Sequence, residues 1–398
     1  MFSRHRHVLL RLFQKARELQ SDPYRKITLG LEIQRELVQR ISDAEKRIQI
    51  LKSRSKATRV QLSSYRNSKQ AAMRLKSVQS ACSNRIEVQW QLINIFRDVG
   101  DSIAFIYAQR WDLKPFVFKE PAGFLTGKKG LTLERAILRQ AYRHGIPAVL
   151  NDLTHTLRHG DVTLFLNGQM RLIEAKSGGG DYKRMGRQLS AAQKVMDYLK
   201  TDHTPDLYAD GQPMSRRAVH AEPIYHTETI NKMVRSLKPS GYLHVNPEPG
   251  LHYFVIDGDF EKDIDEILNP VLRTKPFVLA SNDIKYTKSG YFPFPLIFDS
   301  PEALYRYYAG TIFILIVVDI TWVEKTAKDR GFTFSITNDP QSPWEFRRAA
   351  DAYLKLSSHF LGRICAEFLS LGWMIAETVA RYDQIGQGIE ERDGSFKK

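Results

Sequence analysis

Apolar positions recur along this chain with two periods, one helical and one of two residues, and the change of period marks the change of element. Residues 4–20 carry helical spacing, ended by Ser21-Asp22-Pro23. A long helical stretch follows. In it Leu37, Ile41, Ala44, Ile48, Leu51, Ser55, Thr58, Leu62, Tyr65, Lys69 and Ala72 alternate steps of four and three. That is the seam of packed helices, apolar from Leu37 to Leu51 and polar at Ser55, Thr58 and Lys69. It predicts a helical hairpin or weak coiled coil able to dimerise the chain, or else a helix laid on the chain's own core. A further helix is predicted over Asn84–Gln109, and a Gly/Pro-rich loop over 111–130. Leu131–His144 reads as a helix capped by Thr132, and Ile146–Leu150 as a short apolar strand.

The period then switches to two. Asp161–Lys176 (DVTLFLNGQMRLIEAK) predicts a β-hairpin, because Asn167-Gly168 suits a type I′ turn with positive φ at both central residues. Counting outward sets Leu166 opposite Gln169, Phe165 opposite Met170 and Leu164 opposite Arg171. Three pairs later Asp161 faces Glu174, with Lys176 on the same side. Opposed side chains have Cβ atoms roughly 4.5–5.5 Å apart, where like charges repel. Two carboxylates so placed need a proton or a cation between them. Lys176 supplies part of that charge, and a divalent ion with a taste for oxygen, of the Mg²⁺ kind, supplies the rest.

Beyond the hairpin and its Gly178-Gly179-Gly180 break, Lys183–Lys200 predicts a helix. A further strand is expected at Ala221–His226 or, better, at His252–Asp257. Asp263–Asn269 reads as a helix stopped by Pro270, Ile312–Asp319 as a buried strand, and Trp344–Ile385 as long helix. The polar tail from Gly386 predicts disorder.

Charge sharpens this picture. The net charge is +15, yet residues 1–80 hold 19 Lys/Arg against 6 Asp/Glu. From Lys46 to Ile86 no acidic residue occurs, while Lys52, Arg54, Lys56 and Arg59 are among the many basic ones. Solvated helices ordinarily mix signs to gain i,i+4 pairs, so the stretch implies an anionic partner. Nucleic acid is the first candidate; an acidic protein or lipid surface is the other. Cys82 and Cys365 stand alone, against a disulfide framework or zinc knuckle and for a reducing cytoplasm. The run Ile312–Val318 is too short to span a bilayer. Met1–Arg17 resembles a transit peptide, but Glu18 and the continuing helical pattern favour a plain helix. Gly127-Lys128-Lys129 fails the P-loop pattern, since Lys129 stands where Ser or Thr should bind Mg²⁺. His144, His155 and His159 flank the hairpin, but the Gly160 break argues against a helical metal site there.

Asp161, Glu174 and Lys176, with Glu134 upstream and Arg187-Gln188 downstream, resemble the PD-(D/E)xK nuclease superfamily over roughly residues 130–200. Gly160 stands where the family's name has Pro. The resemblance implies an α/β protein with a restriction-endonuclease-like mixed-sheet core over 84–260. A basic helical arm (1–83) would precede it, and a C-terminal α/β extension (261–386) and a disordered tail (387–398) would follow. It also implies Mg²⁺ or Mn²⁺ held by Asp161, Glu174, the Ala175 carbonyl and Glu134, with Lys176 acting on the attacking water. Gln188, with Gln193 as rival, would touch the lysine or the substrate phosphate, and Arg184 and Arg187 would grip phosphate. The expected function is metal-dependent hydrolysis of nucleic acid, DNA first, in a cytoplasmic defence or repair setting. The alternatives are a nucleic-acid-binding scaffold with an inactive nuclease-like fold, and a coiled-coil protein that binds another protein.

Overall fold

Asn167 and Gly168 take φ of 50° and 73°, as a type I′ turn requires, and the hairpin closes in the counted register. The computed structural model describes residues 2–64, 68–108, 113, 123–175, 182–205, 207, 214–215, 219–270, 276–284, 294–340, 342–349 and 352–391. The chain is mixed α/β and divides into two compact units, Met1–Arg216 with Thr287–Leu296, and Arg217–Tyr286 with Ile297–Lys398. The expected boundaries at 83/84 and 260/261 do not coincide with this division. One helix runs unbroken across the first, and a strand before the second pairs with one after it.

In the first unit, α1 (Arg6–Ser21) buries Leu9, Leu12, Phe13, Ala16 and Leu19. The long seam folds back as a hairpin of α2 (Ile27–Ser64) and α3 (Lys69–Tyr107). It is not one helix through Ala72: Ser68 caps α3, its side chain accepting the Ala71 N–H at 3.3 Å. On α2 the seam residues Leu37, Ile41, Ala44 and Ile48 are buried. Between Ile48 and Cys82, among the described residues, only Thr58 is buried, while Ile50, Val60 and Met73 are exposed. The outer end of the hairpin, roughly 25 Å of helix, therefore has little core of its own.

The root of the hairpin carries the sheet. After α4 (Leu131–Arg143), β1 (Ala148–Leu150), β2 (Val162–Leu166) and β3 (Gln169–Ile173) form an antiparallel sheet in the order β1-β2-β3. Gly130 precedes α4 with no side-chain cap, so Thr132 does not serve as one. An edge strand must satisfy its outward N–H and C=O groups. The fully buried Gln34 of α2 does this for β1: its Nε2 donates to the Ala148 carbonyl and its Oε1 accepts the Leu150 N–H, both at 2.8 Å. On α3, Gly100 lets the helix touch the turn after β1, where a Cβ would lie 1.9 Å from the Leu153 carbonyl oxygen. Helix α5 (Tyr182–Thr201) follows the hairpin. Helix, three strands, helix is the expected order. No fourth strand joins this sheet among the described residues: Ala221–His226 forms only the isolated bridge Tyr225–Leu369.

The other expected fourth strand belongs to the second unit. There β4 (Tyr242–Glu248), β5 (Leu251–Asp257), β6 (Pro276–Ala280) and β7 (Ile312–Asp319) form an antiparallel sheet ordered β4-β5-β7-β6. Leu251, Tyr253, Val255, Ile312, Ile314, Ile316 and Val318 are fully buried on one face of it. The predicted helix at Trp344 is instead a meander: β8 (Thr333–Ile336), β9 (Trp344–Ala349) and β10 (Ala352–Leu356). Trp344 and Phe346 share a face against Phe334, and Glu345 and Arg347 pair on the other, so period two wins there. Helices Ser358–Ala366 and Leu371–Glu391 follow, the second passing through the start of the predicted disordered tail. Among the described residues no helix is long and apolar enough to cross a membrane.

Replacing Gln34 with Leu keeps its bulk but strands two buried backbone groups, at about 1–3 kcal/mol each. Gln34→Leu should lower stability by about 2–4 kcal/mol in urea unfolding; a loss below about 1 kcal/mol would show that β1 finds other partners.

Candidate metal centre

Asp161 is aimed by its neighbours. Gly160 precedes it at φ 75°, a conformation that L side chains avoid, and a Cβ there would lie 3.2 Å from the Ile173 carbonyl oxygen. The ladder of β2 and β3 ends at Val162 and Ile173. Rather than standing simply opposite Glu174, Asp161 donates its N–H to the Ile173 carbonyl (2.9 Å), while its own carbonyl accepts the Asn151 N–H (3.0 Å). Its Oδ2 accepts the Ala175 N–H at 2.9 Å, so the Glu-Ala-Lys segment begins beside this carboxylate.

Its other oxygen meets a residue that the motif does not contain. Lys128 Nζ lies 3.1 Å from Asp161 Oδ1, 2.8 Å from Glu134 Oε1 and 2.6 Å from Asp152 Oδ2. Three carboxylates from three elements thus converge on one cation. Glu134 comes from the first turn of α4, Asp152 from the turn after β1, and Asp161 from the start of β2. Gly130 leaves room for Glu134, since a Cβ at 130 would lie 3.1 Å from Oε1. Glu134 is 2% exposed, whereas Lys128, Asp152 and Asp161 are 17–28% exposed, so solvent reaches the cluster from one side. Burial works against the charge of Lys128, yet Asp152, Glu134 and Asp161 hold its ammonium above the usual lysine range. Burial, with repulsion from Asp161 and Asp152, pushes Glu134 up to about 7 against the pull of Lys128. On α3 the buried Arg97 adds positive charge near Asp152 and Glu45; burial and neighbouring Arg158 bring it down to about 10.

The structure therefore brings together Glu134, Asp161 and Ala175 of the predicted site, and adds Asp152 and Lys128. Glu174 lines a cavity of about 720 Å³ with Arg171, Leu172, Gln193, Met196 and Lys200. Gln193 there donates to Asp197 at 2.7 Å. Lys176 lies outside the described residues. Arg184, Arg187 and Gln188 fall within α5, but their side chains are outside the described ones. On the helical hairpin Lys52, Arg54, Lys56 and Arg59 are all exposed, with Lys52 Nζ 6.0 Å from the centre of the Trp90 ring.

Of the three histidines, His155 joins a second cluster. Asp98 and Asp101, three apart on α3, and His155 place ligand atoms within 4.8 Å of one another, and this group could hold a metal ion. Its bonds also explain it without one. Asp101 accepts the backbone N–H groups of His155 (2.9 Å) and Thr156 (3.0 Å) and the Thr156 hydroxyl, strapping the loop to α3. His155 Nε2 lies 3.2 Å from the Asn94 carbonyl and 3.5 Å from Asp98. Burial pushes Asp101 up to about 7 and, with Arg97, holds His155 down to about 3.

Comparison with protein-family models, curated proteins and solved structures returned no match to this chain.

Glu134 makes stability depend on pH with a definite sign. Its folded value of about 7 lies above the ordinary 4.5, so the folded state holds a proton that the unfolded chain has lost. That contribution is complete below pH about 4.5 and fades as pH rises to about 7. Asp101 acts in the same direction. Glu134→Gln, which cannot titrate, should flatten the fall in urea midpoint between pH 5 and 7.5 without abolishing it; an equally steep fall would deny Glu134 its raised value.

Proposed function

We propose that the first unit is a divalent-metal-dependent nuclease that hydrolyses phosphodiester bonds of nucleic acid, DNA first. The observation that carries this reading is the convergence of Glu134, Asp152 and Asp161 oxygens on one cation position. Two of the three, Glu134 and Asp161, belong to the PD-(D/E)xK-like set in the sequence. An all-carboxylate oxygen set suits Mg²⁺ or Mn²⁺ and suits zinc or copper poorly. When bound, such an ion polarises the scissile phosphate and lowers the pKa of a coordinated water.

The chain's own residues divide the remaining work. Glu134, Asp152 and Asp161 would hold the ion, and Ala175, by its N–H bond to Asp161, fixes that carboxylate. In this reading Glu174, which follows β3, completes the set, and Lys176 orients the attacking water or steadies charge on the phosphate. Gln188, Arg184 and Arg187 would lie along the substrate backbone. The exposed cations of the hairpin, with no carboxylate among them from Lys46 to Ile86, are the electrostatic grip on phosphate. A cytoplasmic role in defence or DNA repair belongs to the same proposal. One observation favours the second reading, an inactive nucleic-acid-binding scaffold: an ammonium already fills the cation position.

Incubation with plasmid, linear duplex, single-stranded DNA and RNA, in Mg²⁺, Mn²⁺ or EDTA, separates the two. Cleavage should need the metal and fall at least about 100-fold, about 2.7 kcal/mol of barrier, in Asp161→Asn and in Glu134→Gln. Nucleic-acid binding should persist in both. Binding without metal-dependent cleavage in any substrate would select the scaffold.

The arm makes a separate prediction. Replacing Lys52, Arg54, Lys56 and Arg59 with Gln should flatten the dependence of log affinity on log salt by up to about three units on duplex DNA. An unchanged slope in anisotropy titrations would turn the arm toward a protein partner.

A further inference from the structure

Lys128 is not a stray surface lysine that has fallen onto nearby acids. The turn that presents it, Leu125 to Lys128, is closed by the Lys128 N–H on the Leu125 carbonyl (3.1 Å), with Gly127 at φ 84°. That turn is bolted to α2. Glu45, fully buried, accepts the Leu125 N–H (3.0 Å) on one oxygen and the Thr126 N–H (2.8 Å) on the other. The buried Leu125 side chain adds a second anchor. An ammonium has three N–H donors, and here each finds a carboxylate, on Glu134, Asp152 and Asp161. Its neighbour Lys129, by contrast, is exposed.

The three oxygens stand 2.6–3.1 Å from Nζ, an ammonium spacing. An ion of the Mg²⁺ kind needs its oxygens about 2.0–2.1 Å away, so the carboxylates would have to close in on the ion as the ammonium leaves. Ammonium and ion cannot share the cation position, by contact and by charge. We propose that Lys128 is a built-in counter-cation that must leave this seat for a divalent ion to bind, and that Glu45 is the positioning residue that holds it there. The inference rests on the metal centre proposed above and adds a competitor to it. It also gives the hairpin a mechanical tie to the centre, because Glu45 is the last carboxylate before the basic stretch begins at Lys46.

The test is calorimetric titration with Mn²⁺ alone into the full-length wild type, Lys128→Met, Glu45→Gln and the double variant. Losing the competing charged hydrogen bonds should tighten Mn²⁺ binding about tenfold or more in Lys128→Met. Glu45→Gln, which keeps every charge of the centre, should tighten it roughly threefold. The double variant should match Lys128→Met, because Glu45 acts only through Lys128. Lys128→Gln serves as the second probe if Lys128→Met does not fold. Wild-type binding with no gain in either Lys128 variant would overturn this inference and leave the metal centre standing. A Glu45→Gln effect that persists in the absence of Lys128 would overturn the positioning role. Absence of Mn²⁺ binding in all of them would overturn the inference and the metal centre together.

Discussion

Three carboxylates in one half-buried place repel one another unless a cation joins them, and the first unit is arranged around that requirement. Glu134, Asp152 and Asp161 reach the cluster from a helix, a 3₁₀ turn and a strand start, and Lys128 reaches it from a turn. Three of these four approaches depend on a glycine. Gly160 takes a left-handed conformation, Gly130 leaves space for a carboxylate, and Gly127 turns the chain. Desolvated like charges are costly alone and tolerable only when paired. Removing one partner of such a cluster is costly, because it leaves uncompensated charge in a half-buried place.

The helical hairpin is part of that arrangement. Its root supplies the strand-like amide of Gln34 to the open edge of β1, the carboxylate of Glu45 to the turn of Lys128, and the carboxylate of Asp101 to the loop after Asp152. Its outer end has almost no buried residues and carries unopposed positive charge. One element thus joins the surface most suited to a polyanion to the groups that set the cation position. The second unit is built on a four-stranded antiparallel sheet with a three-stranded meander.

Local periodicity made much of this legible. The hairpin, its turn and its register followed from Asn167-Gly168, because a two-residue turn allows few alternatives. Helices at Arg6–Ser21, Leu131–Arg143 and Tyr182–Thr201 and the strand Ile312–Asp319 followed from their apolar spacing. Trp344–Leu356 misled because aromatic and charged residues at mixed spacing suit a helix as well as a strand, and cross-strand packing on Phe334 decides between them. In the site, Asp161 was visible through the hairpin count, and Glu134 only through the family resemblance. Lys128, Asp152 and Glu45 were not. Lys128 stood in a failed phosphate-loop pattern, and the approach of all three depends on turns and on the docking of α2, which no local pattern encodes.

Whether the proposed divalent ion takes this cation position can be seen by anomalous diffraction. A crystal soaked in Mn²⁺ should show one strong anomalous peak about 2.0–2.3 Å from oxygens of Glu134, Asp152 and Asp161, with the Lys128 side chain moved away. A peak at Asp98, Asp101 and His155 instead, or no peak with Lys128 still seated among the three carboxylates, would contradict the proposal.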